Sequence, residues 1–297
     1  MEHKSVLLNE TVNGLNIKNN DIFVDMTLGG AGHSEAVAAA GAENLTIVGI
    51  DADDQALDRA KERLQKYNCK LILVTEYFDK LKEILEKNNL NYVDKVLFDL
   101  GYSSFEIDNP ARGFSFLHDG PLKMTYTNNP DSKQLTAYDV VNDFQEENLA
   151  DIIYGFGEET FSRRIARGIV EAREKKPIET TAELAKIITE SVPFFYRKGK
   201  THPATKTFQA IRIAVNNELD KLKIALNDAF EKLSPHGRIA VISFHSLEDR
   251  IVKNFFRDKI KEGIANFVNK KPIAPSREKI INNPRSRSAK LRIIEKI

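Results

Sequence analysis

Three aspartates and one histidine stand where a nucleoside could be bound and chemistry done on it. Asp25, Asp51 and Asp99 each end a short β-type run, Asp21–Val24, Leu45–Ile50 and Val93–Phe98, and His245 ends a fourth, Arg238–Phe244. In a doubly wound sheet, ligands lie outside the carboxyl ends of the strands, so these four side chains are expected to converge on one cleft. Between the first two runs lies Leu28-Gly29-Gly30-Ala31-Gly32-His33-Ser34, followed by the helical Glu35–Ala40 and then Gly41. Glycines let backbone approach a ligand, and a helix amino end offers N–H groups. Asp51 follows Gly32 by nineteen positions, a spacing at which a carboxylate accepts from both ribose hydroxyls.

The ligand's charge can be read from the same turn. A dinucleotide fingerprint places a third glycine where this chain has Glu35, a bulky anion that disfavours a pyrophosphate. S-adenosyl-L-methionine has no phosphate and carries a positive sulfonium, which suits Asp25 and Glu35 better than NAD does. Asp99 opens Asp99-Leu100-Gly101-Tyr102-Ser103-Ser104, an acid followed by an aromatic. This pairing suits transfer to the exocyclic amine of a base. Such a nitrogen is conjugated with its ring and needs an acceptor for its N–H groups while the methyl is aligned in line. A strand-end cap is the other reading of Asp99. His33 is open between ligand contact and turn cap, and His245 between pocket wall and loop packing.

These residues have to be held by alternating strands and helices. Asp53–Gln65 is expected as a helix with Ala56, Leu57, Ala60 and Leu64 on one face, Leu71–Val74 as a strand, and Tyr77–Lys87 as a helix. Residues 104–130 are loop-like, punctuated by Asn109-Pro110, Arg112-Gly113, Asp119-Gly120-Pro121 and Asn129-Pro130. From Thr136 to about Ser191 the reading is helical throughout, with stripes at Leu149, Ile152, Ile153, Phe156 and at Ile165, Ile169, Ala172, and a capping box at Thr180–Glu183. One long helix is expected over Thr205–Leu233, then a turn at Ser234–Gly237, the strand ending at His245, a helix capped by Ser246, and an edge strand Leu291–Ile294. The fold class is therefore α/β, a doubly wound sheet with an inserted all-helical domain. The expected division is 1–108, 109–203 and 204–297.

Composition narrows the class further. The 44 Lys and Arg nearly cancel the 43 Asp and Glu, so no global field points to nucleic acid. Residues 265–297 are different: Lys270, Lys271, Arg277, Lys279, Arg285, Arg287, Lys290, Arg292 and Lys296 face only Glu278 and Glu295. Such a stretch favours a phosphate backbone, and a solvated tail is the alternative. Arg163 and Arg167, with Arg164, offer a second basic face at helical spacing. The single cysteine, Cys69, excludes a disulfide framework and a multi-cysteine metal site, and no metal is expected. No apolar run approaches a membrane span, so a cytoplasmic enzyme without membrane contact is expected.

Several stretches together resemble one family. They are Val24–Ser34, Asp99–Ser104, Arg112–Phe116, Asp119–Leu122, His202–Thr205, Phe208–Ile213, Ile242–Arg250 and Asn283–Arg292. The chain is similar to the bacterial ribosomal RNA small subunit methyltransferase H (MraW) family, from Val6 to Lys296. The resemblance implies a class I methyltransferase domain, interrupted by a helical substrate-recognition domain. It also implies transfer of a methyl group from S-adenosyl-L-methionine to N4 of a cytidine in the decoding region of 16S rRNA. Family cofactor positions map to Ala31, Gly32, His33, Asp51, Phe78 beside the adenine, and Asp99. The chain departs from the family in two places. Phe105-Glu106 replaces Pro-Gln, which puts Glu106 at a cofactor-contact position, and Lys123-Met124-Thr125-Tyr126 replaces Asp-Met-Arg-Met. The small ribosomal subunit is the expected partner, and self-association into a homodimer is left open. A ribosome-binding assembly factor with a degenerate site is the alternative function.

Overall fold

The apolar runs pair into one seven-stranded sheet of order β3-β2-β1-β4-β5-β7-β6 in the computed structural model, which describes residues 5–128 and 134–297. The breaker Asn129-Pro130 lies outside the described residues. The strands are β1 Ile22–Asp25, β2 Thr46–Asp51, β3 Lys70–Thr75, β4 Val93–Asp99, β5 Leu233–Ser243, β6 Ala265–Phe267 and β7 Lys290–Lys296. β1 pairs in parallel with β2 on one side and β4 on the other, and the chain order reverses there. That reversal opens a crevice at the strand ends.

The chain divides into two compact units, Met1–Gly101 with Leu219–Ile297, and Tyr102–Glu218. The second is wider at both ends than the expected 109–203. In the sheet unit, alternate strand residues feed two cores, as a period of two demands. Val24, Val48, Val96, Phe98 and Val241 face α4 (Leu81–Lys87), α12 (Glu218–Lys232) and α13 (Ser246–Lys261). Phe23, Ile47, Leu97, Ala240 and Ile242 face α1 (Leu8–Leu15), α2 (Gly32–Ala39) and α3 (Asp54–Leu64). Each fully buried aliphatic or aromatic side chain contributes about 1.5–3 kcal/mol over an exposed one.

The helical unit holds α5 (Ser104–Asp108), α6 (Ala137–Asp143), α7 (Glu146–Gly157), α8 (Ser162–Arg173), α9 (Thr181–Ser191), α10 (Phe194–Arg197) and α11 (Ala204–Asn216). Its core takes Leu149 and Ile153 from α7, Ile165 and Ile169 from α8, and Leu184 and Ile188 from α9. Phe208, Ile211 and Val215 of α11 join the same core, so this helix belongs with the insertion and not with the sheet. The remaining helix, α14, spans Arg277–Asn282 in the sheet unit.

Three expected elements are corrected. The long helix over 205–233 is two helices, because Asn217 adopts the left-handed region at φ 49°, ψ 44°, which asparagine tolerates. The turn at Ser234–Gly237 lies inside β5 as an irregularity: Val93 pairs with Leu233, and the next register pair is Lys95 with Arg238. Leu291–Ile294 is not an edge. β7 lies antiparallel between β5 and the short edge strand β6.

Candidate active site

The strand ends deliver three of the four expected side chains as carboxylates of one unit. Asp25, Asp51 and Asp99 are the last residues of β1, β2 and β4. Asp25 is buried. Its Oδ2 accepts from Ser34 Oγ at 2.7 Å and its Oδ1 from the backbone of Thr27 at 3.3 Å. Burial pushes its carboxyl up to about 6, against the pull of those hydrogen bonds and with the help of Asp51's charge.

Asp51 ties down the glycine turn. Gly29 N–H donates to Oδ2 at 2.7 Å and Asp53 N–H to Oδ1 at 2.9 Å. Its carboxyl is raised by burial, which outweighs these bonds. Each carboxylate oxygen has two acceptor sites, so lone pairs remain for two ribose hydroxyls. The turn ends with Ala31 in the left-handed region at φ 56°, from which α2 starts at Gly32. A Cβ at Gly32 would lie 2.1 Å from Ser5 Oγ, so the segment before α1 packs directly on the turn.

Asp99 is the most perturbed of the three. Burial raises its carboxyl well above the usual range, and the charges of Asp25 and Glu248 raise it further. Its backbone N–H donates to Thr27 Oγ1 at 2.7 Å, which fixes the end of β4 against the β1 turn. Oδ2 lies 3.5 Å from His33 Nδ1, whereas Oδ1 is buried without a hydrogen-bond partner among the described residues. His33 and Asp99 thus touch each other, a contact that none of the expectations for either residue contained. Phe78 starts the single 3-10 turn after β3 and sets its ring edge-on to Phe98, centroids 6.2 Å apart.

Two side chains stand elsewhere than expected. Glu35 does not line the turn as a free anion: Arg63 Nε is 3.0 Å and Lys66 Nζ 2.8 Å from its carboxylate. Its hydrogen bond with Lys66 leads the effects that lower its carboxyl below the usual value. The discrimination against a phosphate expected of Glu35 therefore has no free carboxylate behind it. His245 is the N-cap of α13, in place of Ser246. Glu248 N–H points to its Nδ1 at 3.4 Å, and Glu248 Oε2 accepts from the backbone of Phe244 at 2.8 Å and of His245 at 3.3 Å.

Glu106 belongs to the helical unit, where it is buried and closes a capping box on α5. Ser103 N–H donates to its Oε2 at 2.6 Å, and Arg112 Nη2 is 3.8 Å away. In the same unit Arg112, itself buried, donates to the carbonyls of Thr125 at 3.0 Å and Tyr126 at 2.6 Å, and to Asn128 Oδ1. Thr125 is buried under this grip and Lys123 is exposed. Gly113, at φ 70°, is required here: a Cβ would stand 2.1 Å from the Pro121 carbonyl.

Sequence reasoning missed a buried cation in this unit. Arg212 Nε and Nη2 meet Glu218 Oε1 and Oε2 at 2.8 and 2.9 Å, with Tyr126 Oη donating to Oε1 at 3.1 Å. The guanidinium also lies 4.8 Å from the Tyr102 ring centroid. The signal was present in Phe208, Ile211, Arg212 and Val215, an arginine written into an apolar helical stripe.

A mostly parallel sheet whose strand order reverses at β1 and β4, a glycine turn between β1 and α2, and acids at three strand ends define a class I methyltransferase fold of Rossmann type. The chain belongs to the MraW methylase family, which it matches over residues 1–297. It is 47% identical over 310 residues to a protein of Brevibacillus brevis, covering 99% of this chain and 98% of that one. Identity is 46% over 311 residues to a protein of Clostridioides difficile, with 99% of each covered. A third relative, from Carboxydothermus hydrogenoformans, is 46% identical over 310 residues, covering 99% and 98%. All three relatives carry the name ribosomal RNA small subunit methyltransferase H.

Proposed function

We propose that the protein transfers a methyl group from S-adenosyl-L-methionine to the exocyclic N4 of a cytidine in the decoding region of 16S rRNA. The observation that carries the reading is the free buried Oδ1 of Asp99, an acceptor at the end of β4 in a family of methylases. When bound, the cofactor would supply an electrophilic methyl group on a cationic sulfur. The residues fit such a ligand. Among the described residues no Lys or Arg pairs with Asp25 or Asp99, so a positive charge would relieve carboxylates that are costly to bury. Asp51 would hold the ribose, the Ala31-Gly32-His33 turn the amino-acid end, and Phe78 the adenine.

A cytosine amine is a poor nucleophile, and an acceptor for its N–H group localises the lone pair on nitrogen. Asp99 Oδ1 is that acceptor in this reading. RNA would be gripped by exposed arginines on α8. Arg163, Arg164 and Arg167 are exposed, and Arg164, Arg167 and Lys175 line a groove with Ile187 and Glu190 of α9. Because one extruded cytidine offers little surface and costs a few kcal/mol to expose, the substrate is an assembled or partly assembled small subunit. The membrane is not a partner in this reading. No described helix is long and apolar enough to cross one.

The test is mass spectrometry of small-subunit rRNA from cells with and without the gene. Loss of one N4-methyl mark that the purified protein then restores on isolated subunits supports the reading. An unchanged rRNA, with the protein still bound to subunits, favours the assembly-factor alternative.

A further inference from the structure

His33 sits in the first turn of α2 with its ring buried between two acceptors. Nε2 lies 3.1 Å from the Val6 carbonyl oxygen and Nδ1 3.5 Å from Asp99 Oδ2. A carbonyl only accepts, so Nε2 carries a proton. In a neutral ring, Nδ1 then presents a lone pair to a carboxylate oxygen. Two acceptors facing each other in a buried site repel, and one proton between them turns the repulsion into a hydrogen bond. Among the described residues, the other titratable groups facing Asp99 are acids: Asp25 from the end of β1 and Glu248 from α13. Behind Asp25 stands Asp51, and against Glu248 stands His245, whose Nε2 is 3.1 Å from Oε1.

We propose that His33 and Asp99 hold one proton in common, which makes His33 the positioning residue of the site. It fixes Oδ2 and leaves Oδ1 as the acceptor for the target amine. The proposal rests on the reading of Asp99 as the group that faces that amine. Once the nitrogen has bonded the methyl carbon, with the former carbon–sulfur pair left on sulfur, the nitrogen is positive and must lose one proton. Oδ1 takes it, and the shared proton moves from Oδ2 onto Nδ1. The carboxyl never holds two protons, and the positive charge ends on an imidazolium whose Nε2–H already points at Val6. Solvent then removes the extra proton.

Two measurements test this, the first independent of turnover. The 15N spectrum of the cofactor-free protein should place His33 Nδ1 between the positions of a bare and a protonated nitrogen, and Asp99→Asn should shift it. A bare-nitrogen Nδ1 signal that Asp99→Asn leaves in place overturns the shared proton. The second is the pH profile of methyl transfer to isolated subunits. His33→Asn should lower kcat about tenfold or more and move the limb of the profile, and His33→Phe should do the same. Cofactor affinity, read separately by calorimetry, should change less than kcat. Variants that alter only the affinity, with the pH profile unmoved, overturn the positioning role. If the wild-type chain leaves the cytidine unmethylated, the functional reading fails, and the 15N comparison decides the shared proton by itself.

Discussion

Ser34 Oγ donates to Asp25 Oδ2 at 2.7 Å, inside a buried pocket where that hydroxyl is the only side chain donating to the acid among the described residues. One neutral hydroxyl does not offset the burial of a full charge. The folded form therefore holds the Asp25 proton more tightly than the unfolded chain does, with its carboxyl raised from 3.8 to about 6. The stability that Asp25 contributes falls as pH rises through that window and is level above it, a loss of about 3 kcal/mol at 1.36 kcal/mol per unit. Asp25→Asn should be more stable than the parent above pH 6, and the gain should disappear below the usual carboxylate range. Urea unfolding at the two ends of the window measures it. A variant that is less stable on the alkaline side contradicts the sign.

Asp51→Ala should weaken S-adenosyl-L-methionine binding by more than tenfold, since two charge-assisted hydrogen bonds are removed at about 1.5–3 kcal/mol each. The turn also loses the acceptor for Gly29 and Asp53, so the thermal midpoint should fall with the affinity. Calorimetry on a variant shown folded by circular dichroism checks it. Unchanged affinity would refute the ribose assignment.

The Arg212–Glu218 pair in the helical unit is buried on both sides. Removing one partner leaves the other charged and alone, which costs about 3–5 kcal/mol. Glu218→Gln should be strongly destabilised, and Arg212→Met with Glu218→Leu should recover much of the loss. A double variant as unstable as the worse single one argues against the pair as the cause.

For RNA, exposed cations and those held by Asp249 should behave differently. Arg163, Arg164 and Arg167 are exposed, as are Arg285 and Arg287, whereas Arg292 is held by Asp249 at 2.7 Å alongside Lys290 at 2.9 Å. Glutamine at the α8 positions should flatten the salt dependence of RNA binding by about 0.7–0.9 for each phosphate that is no longer neutralised. Arg292→Gln should lower stability and leave that slope unchanged. In this reading Arg292, seated in β7 beside Asp249, serves the fold and not the RNA surface expected of the basic carboxyl-terminal stretch. A slope that responds only to Arg292 would reverse the assignment.

Lys123→Asp should fold like the parent, because an exposed substitution is worth about 0.5 kcal/mol or less. Thr125→Arg should not, since Thr125 is buried and its Oγ1 donates to the Thr127 carbonyl at 3.1 Å. Overpacking there costs about 1–3 kcal/mol. Methyl transfer that rises sharply in the double variant from an inactive parent would instead mark the native chain as a degenerate binder.

The strand-end acids were legible in the sequence because apolar β-branched runs end sharply, and the residue that ends each run is displayed at the crevice. What those acids touch was not legible. The ion pairs on Glu35 come from α3 and the residues just after it, some thirty positions on, and the carbonyl that fixes His33 comes from Val6. The N-cap of α13 falls one residue before its expected place because serine is the commoner cap and histidine rarely serves as one. Asn217 reads as helix because propensity tolerates asparagine there, and only the packing of α11 into the other core shows the break. The edge assigned to β7 fails for a similar reason: nothing local distinguishes a short apolar run at an edge from one seated between two strands.

The seat of β7 carries a kinetic consequence. β5 and β6 are made first, yet neither pairs with the other, and the slot between them fills only when residues 290–296 arrive. Until then β5 shows an open row of amides and carbonyls, and Asp249 waits for both of its cations. The sheet therefore closes only once residues 290–296 have joined it.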